Sequence, residues 1–296
     1  MNILQMRKKL PKFLQFLYCA EHATHTIDGY RKDLKGLFDF LEQNTNNAKL
    51  NKEHLIEYKK TLASTLKAST INRKIAAMNK FLEFVNLPAF KLKALKIQEH
   101  TAAENTMKEK EFTRLINEAN RSCKHKIALI MLTLASTGIR ISELKYITVE
   151  AVHAGKTTIN SKSKIRTIFI PSSLKENLTA FYQKHNITNG TIFLGNKGQP
   201  ISRPYVSTQM KKLAHSCGVD ASKVFPHNLR HYFARRFLDC GNALTDLANV
   251  LGHTSVNTTR RYLRVSENIM RKQMAKVKVF ATVPPKFKLC DKLLVC

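Results

Sequence analysis

Along most of this 296-residue chain, apolar residues return every three or four positions, the spacing of one buried helical face. In one stretch only, TTINSKSKIRTIFI, they alternate strongly around a polar turn, as in a β-hairpin. A chain patterned in this way buries its apolar surface helix against helix, with the hairpin as a small local addition. The expected fold is therefore mainly α with one small β-sheet. The length suits one large domain or two ordinary ones, and a hydrophobic content of 43% is enough for real cores.

From Thr26, TIDGYRKDLKGLFDFLEQ sets Ile27, Tyr30, Leu34, Leu37, Phe38 and Leu41 on one face, with Thr26 as N-cap. Helices follow through KEHLIEYKKTLAS and STINRKIAAMNKFLEFV, the latter burying Ile71, Ile75, Met78, Phe81 and Leu82. Residues 1–90 thus read as a helical bundle, and 91–105, where the helical period is lost, as a linker. A second domain, 106–280, opens with Thr106 as a capping signal and runs through the apolar helix KIALIMLTLASTG, which Gly138 ends. A helix through ISELKYITVEAV and the hairpin come next. Helical patterns resume in SSLKENLTAFYQKH, YVSTQMKKLAHSCG, NLRHYFARRFLDCG, ALTDLANVLG and TTRRYLRVSENIMRKQMAKV. Residues 281–296, broken by Pro284 and Pro285, read as a tail.

Fifty Lys and Arg against 21 Asp and Glu leave a formal charge of +29, a self-repelling surplus that a polyanion relieves. Nucleic acid is the expected partner. No apolar run approaches the ~20 residues of a membrane span, and the first residues lack a secretory pattern, so a cytoplasmic protein is expected. The six cysteines show neither finger spacing nor a disulfide frame and read as reduced thiols. On the bundle, Lys59, Lys60, Lys67, Arg73, Lys74 and Lys80 recur with little acid between them, the pattern of a phosphate-contacting face. Base contacts are expected from Ser69, Thr70, Arg73 and Lys74 and from Lys211 or Lys212, with simple phosphate contact the alternative for each lysine.

Chemistry collects later in the chain. Arg140 follows a helix-breaking glycine, where a planar guanidinium fork is suited to two phosphate oxygens, and Glu143 is placed to orient it. PHNLRHYF sets His227 and Arg230 on one helical face, a proton-transfer group beside a second phosphate clamp. His227 and His231 also have the spacing of a metal pair, without the glutamate or cysteines that usually accompany one. His253 lies at the end of ALTDLANVLG, and Tyr262 follows nine positions on. Taken singly, these are a surface arginine, an ordinary ion pair, a helix-end histidine and a tyrosine suited to burial.

The ordered set, RISEL, a basic hairpin, HNLRH, LGH and then tyrosine, resembles the tyrosine recombinase (phage integrase) family, in its compact Xer-like, transposon resolvase or simple integrase form. That resemblance covers 106–280, and less specifically the N-terminal bundle. It implies an N-terminal helical core-binding (SAM-like) domain and an α+β catalytic domain. It also implies that Arg140 and Arg230 grip the scissile phosphate, with His227 and His253 beside them and Tyr262 as nucleophile. The family's catalytic lysine lies in the hairpin; here Lys162 is the first choice, Lys164 the second and Lys156 an outside candidate. The implied activity is cutting and rejoining of double-stranded DNA through a 3′-phosphotyrosyl link and a Holliday junction, without ATP or a metal cofactor. A homotetramer on two DNA sites, accessory proteins and a nucleoid-associated location go with it, the helix VSENIMRKQMAKV docking into a neighbouring protomer. A type IB topoisomerase or a non-catalytic DNA-binding protein of the same fold are the alternatives.

Overall fold

The structure is a computed structural model that describes residues 2–45, 49–96, 106–161, 164–195, 198–252, 258–259 and 262. It divides into two compact units, residues 1–99 and 100–296.

The first unit is a bundle of α1 (Ile3–Lys8), α2 (Leu10–Cys19), α3 (Thr24–Thr45), α4 (Lys52–Thr65) and α5 (Ala68–Phe84). Its centre is aromatic: the rings of Phe13 and Phe38 both meet Phe81 edge to face, at 5.3 and 5.6 Å between centroids. The two opening helices were not foreseen, although Ile3, Met6, Phe13 and Leu17, all fully buried, carry the helical spacing that would have revealed them. Helix α3 begins two residues before its expected cap. Thr26 lies in the first turn, its N–H donating to the Ala23 carbonyl at 2.8 Å.

Residues 91–96 remain tied to this bundle. On α5, the Asn79 amide makes two hydrogen bonds with the Leu92 backbone (2.9 and 3.0 Å), and Asn72 makes two with Leu95 (2.9 and 2.7 Å). Each pair satisfies a backbone donor and acceptor as a neighbouring strand would. Seven residues apart, the two asparagines share one helical face and hold the extended chain along it. The segment expected to begin a linker at 91 is thus bound to the first unit through its first residues.

The second unit is built around α7 (His125–Thr137), almost wholly apolar and buried. Packed on it are α6 (Glu109–Arg121), α9 (Ser172–Lys184), α10 (Arg203–Ser216) and α11 (Pro226–Asp239). Helix α12 (Leu244–Leu251) lies against α11. Strands β1 (Lys156–Ser161) and β2 (Lys164–Phe169) pair antiparallel from Lys156↔Phe169 to Ser161↔Lys164, as the alternation predicts. Their inner face carries Ile159, Arg166 and Ile168.

Two local expectations change in this unit. Thr106 does not cap α6; Glu111 turns back to accept the Lys108 N–H at 2.7 Å and starts the helix at Glu109. The segment ISELKYITVEAV is not one helix but a 3-10 turn, Ile141–Tyr146, and a separate α8 (Val149–Ala154). Ile147 leaves the helical region, Thr148 is extended, and its hydroxyl accepts the Ala151 N–H at 3.1 Å, capping the new helix. Four cysteines among the described residues are free thiols. No helix among those residues is long and apolar enough to cross a membrane. The expected tail, 281–296, and the helix VSENIMRKQMAKV lie outside the described residues.

Candidate active site

Helix α7 ends at Gly138, whose φ of +65° is the left-handed conformation that terminates helices. A Cβ here would sit 2.3 Å from the Phe233 ring, so backbone and packing both require glycine. The chain leaves this turn extended, and Arg140 emerges half-buried with its backbone N–H donating to Glu143 Oε2 (2.7 Å) and Nη1 to Oε1 (3.0 Å). Glu143 is only 4% exposed. Its Oε2 also accepts Arg166 Nη2 from strand β2 at 2.6 Å. The carboxylate is therefore a hub shared by two arginines that lie far apart in sequence.

Arg230 is the largest fully buried side chain in the described structure. One face of its fork is taken by backbone: Nη1 donates to the Gly138 carbonyl and Nη2 to the Leu251 carbonyl, both at 2.6 Å. Those carbonyls lie at the C-termini of α7 and α12, where backbone acceptors are left over and the helix dipole favours a cation. Burial, joined by repulsion from Arg140, pulls the Arg230 pKa down to about 10, so the side chain stays cationic at neutral pH. Burial opposes the charge on Glu143 too, but hydrogen bonds from the Arg140 backbone and the Arg166 guanidinium outweigh it. The carboxyl is held below the ordinary glutamate range.

Tyr262 is half-buried against the small core of Ala234, Leu247 and Leu251, its N–H bonded to the Thr259 carbonyl at 3.0 Å. Leu251, a member of that small core, is also the residue whose carbonyl accepts Arg230 Nη2, so Tyr262 and the Arg230 guanidinium are gathered at the end of α12. His227 stands exposed in the first turn of α11, one turn from Arg230. Between His227 and Tyr262 lies His231: its ring is 4.6 Å from that of His227 and 5.3 Å from that of Tyr262. The sequence had suggested His231 only as half of a metal pair; among the described residues no group of three His, Cys, Asp or Glu is placed to hold a metal ion.

Arg140, Glu143, Arg230 and Tyr262 are thus brought into one cluster, with His227 at its edge. Lys162 and His253 lie outside the described residues; Lys164 opens β2, two residues before Arg166. Arg166 and His231 are the members that reading by motif missed, and Arg166 carries a signal of its own, a charged residue on the inward phase of an alternating strand.

The expected DNA contacts divide between the units. Ser69 and Arg73 are exposed and Thr70 half-buried on the first turns of α5, while Lys211 and Lys212 are exposed on α10. Arg73 and Lys74 both pair with Asp33 of α3: Arg73 Nη2 lies 2.8 Å and Lys74 Nζ 3.2 Å from its Oδ1, and Arg73 Nη1 bonds Oδ2.

The chain matches the family model "Phage integrase family" over residues 105–268 and "Phage integrase, N-terminal SAM-like domain" over residues 10–86. It is 29% identical over 283 residues to tyrosine recombinase XerC of Staphylococcus saprophyticus subsp. saprophyticus, covering 85% of this chain and 90% of that protein. It is 24% identical over 294 residues to XerC of Oceanobacillus iheyensis, covering 92% and 96%. The fold matches that of the Tn1549 transposon integrase in complex with circular intermediate DNA (TM-score 0.73, 16% identity, 94% of this chain and 100% of that one). It also matches a lambda integrase dimer bound to a COC′ core site (TM-score 0.69, 17% identity, 88% and 95%). With a family model spanning more than half its length, this chain belongs to the phage integrase family of tyrosine recombinases.

Proposed function

We propose that this protein recombines double-stranded DNA at specific sites by covalent strand transfer from Tyr262. The observation that carries the reading is the convergence of three separate segments on Arg230: it donates to the carbonyl of Gly138, two residues before Arg140, and to that of Leu251, in the small core against which Tyr262 packs. An unperturbed tyrosine, with a pKa of about 10, is a poor nucleophile at neutral pH unless its proton leaves during attack and cations stabilise the oxyanion. In the proposed step the Tyr262 oxygen bonds to phosphorus as the bond to the 5′-oxygen breaks. His227 takes the phenolic proton, Lys162 protonates the departing 5′-oxygen, and His253 donates to a phosphate oxygen. Arg140 and Arg230 neutralise the pentacoordinate phosphorus between these events. Because the phosphotyrosyl link conserves the energy of the diester, a second 5′-hydroxyl can rejoin the strand without ATP. Four protomers on two duplexes would exchange one pair of strands and then the other, through a Holliday junction. Ser69, Thr70, Arg73, Lys74, Lys211 and Lys212 would supply DNA contacts.

The test begins by mapping the cleaved site on bound DNA, then uses that site with a nick beside the crossover, so that the cut fragment diffuses away. Wild type is expected to accumulate a covalent adduct and Tyr262→Phe none. An adduct that survives the substitution rejects Tyr262 as nucleophile. Plasmids carrying two sites then separate recombination, read as deletion or inversion, from relaxation alone.

A further inference from the structure

Four segments of the second unit are joined in a closed ring of contacts, and one residue that no motif singled out completes it. Arg230 reaches the carbonyls of Gly138 and Leu251. Gly252 follows Leu251, and a Cβ there would lie 2.9 Å from both Cδ and Nη1 of Arg166. Arg166 in turn donates to Glu143, and Glu143 holds Arg140, two residues beyond Gly138. Arg230 thus ties α11 to the ends of α7 and α12, and Arg166 adds strand β2 and closes the ring between Gly252 and Glu143.

We infer that Arg166 is a positioning residue for strand cleavage, acting on Arg140 through Glu143; this rests on the reading of the site as a DNA-cleaving one. Simple packing does not explain an arginine here. A buried guanidinium is costly to desolvate, and an apolar side chain of similar size would fill the inner face of the hairpin better. What the arginine adds is charge and direction. Oε2 of Glu143 is shared between the Arg140 backbone N–H and Arg166, while only Oε1 takes the Arg140 guanidinium, so much of the Arg140 fork remains available to a phosphate. Three arginines and one glutamate leave the cluster a net charge of two positive (three minus one), against a transition state that gathers negative charge on phosphorus. Without Arg166, the buried carboxylate would turn its whole charge on Arg140 and draw it away from the substrate. Gly252, with φ +66°, provides the space that lets the guanidinium lie against the end of α12, immediately before His253.

The experiment measures single-turnover cleavage of the nicked substrate at saturating DNA by full-length wild type, Arg166→Met, Arg166→Lys, Glu143→Gln and the Met/Gln double variant. DNA affinity and thermal melting are recorded alongside. Arg166→Met is expected to slow cleavage roughly 10- to 100-fold, the scale on which outer partners of site groups act, with little change in affinity. Arg166→Lys should recover part of the rate, and the double variant should be no slower than the slower single variant, because both substitutions break one connection. A wild-type rate in Arg166→Met, or additive losses in the double variant, overturns the inference. Where Arg166→Met does not fold, Arg166→Lys decides: an undiminished rate in it also overturns the role. A substrate with sulfur replacing the bridging 5′-oxygen needs no proton on its leaving group. The Arg166→Met defect should persist on it, and a defect that disappears would assign Arg166 to the lysine strand instead of Arg140. If wild type itself forms no adduct, the cleavage reading fails first, and this role with it.

Discussion

Each unit of this protein buries one carboxylate between two basic side chains, and the two clusters differ in what they join. In the first unit Asp33, 4% exposed, lies between Arg73 and Lys74, consecutive residues of α5, and so links only α3 to α5. The Arg73 side chain remains 54% exposed. In the second unit Glu143, equally buried, lies between Arg140, which precedes the hairpin, and Arg166, on its second strand. Arg166 is sealed in, at 8%. An exposed arginine with a buried anchor is oriented yet accessible, which suits contact with a DNA phosphate. A sealed arginine touches no ligand directly and serves to fix another group. On the proposed reading, the same local chemistry would serve a binding surface in one unit and a rigid frame in the other.

The largest effect expected from this contrast separates rate from affinity. Arg140→Ala should lower single-turnover cleavage on the order of 100- to 1000-fold, the cost of removing one donor to a developing oxyanion, with a smaller change in DNA affinity. Arg73→Ala should do the reverse. It should weaken binding and lower the slope of log affinity against log salt by about one, as loss of one phosphate contact does, while cleavage at saturating DNA falls less than tenfold. Binding titrations across salt concentrations and rapid-quench cleavage test both. Equal losses in the two assays for the two variants would erase the distinction between surface and frame.

Sequence revealed these clusters unequally, for a physical reason. Arg140 and Glu143 lie three residues apart, so local periodicity already suggested their pairing. Arg230 and Tyr262 were legible as members of an ordered motif. Arg166 and Asp33 reach their partners across 23 and 40 positions, and only the packing of one segment on another brings them together. The 3-10 turn at Ile141–Tyr146 escaped for another reason: over six residues its apolar spacing does not differ from that of an α-helix, and the Thr148 cap that ends the pattern competes locally with the backbone. The two opening helices carry the ordinary periodicity in Ile3, Met6, Phe13 and Leu17 and were legible in the sequence.

A glycine beside an arginine in each unit offers a second, smaller contrast. Gly29 lies inside α3, and a Cβ there would meet Arg73 Nη1 at 3.9 Å, an ordinary contact. Gly29→Ala should therefore stabilise the first unit by roughly 0.5–1 kcal/mol, the usual gain of alanine over glycine within a helix, and leave cleavage close to wild type. Gly252→Ala places a side chain in the left-handed region, at a cost of about 1–2 kcal/mol, and pushes it against Arg166. It should melt at a lower temperature and cleave more slowly. Gly155, also left-handed (φ +68°) but with nothing within 4 Å of its Cβ position, is the control. Gly155→Ala should lose stability without losing cleavage rate, and if it slows cleavage as much as Gly252→Ala does, the approach to Arg166 is not the cause.

The smallest expected effect is a dependence on acid. Glu143 has its pKa lowered in the folded protein: burial works against its charge, but the Arg140 and Arg166 hydrogen bonds more than offset that. In the range between the native and unfolded pKa values, the unfolded state binds more protons, so stability rises with pH there. The contribution is fully present above the ordinary glutamate value of about 4.3 and is lost as pH falls through the lowered native one. For one proton the slope cannot exceed about 1.4 kcal/mol per pH unit. Hydrogen exchange read on peptides spanning 138–144 and 164–170 should show protection declining below pH 4.5 in wild type. Glu143→Gln, which cannot ionise, should start with lower protection and show a flatter acid response in those peptides. Peptides covering α3 and α5 should be unaffected by that substitution, because the two carboxylates serve separate units. An acid response in 138–144 that is as steep in Glu143→Gln as in wild type would place the titrating group elsewhere and remove Glu143 as the hub of the frame.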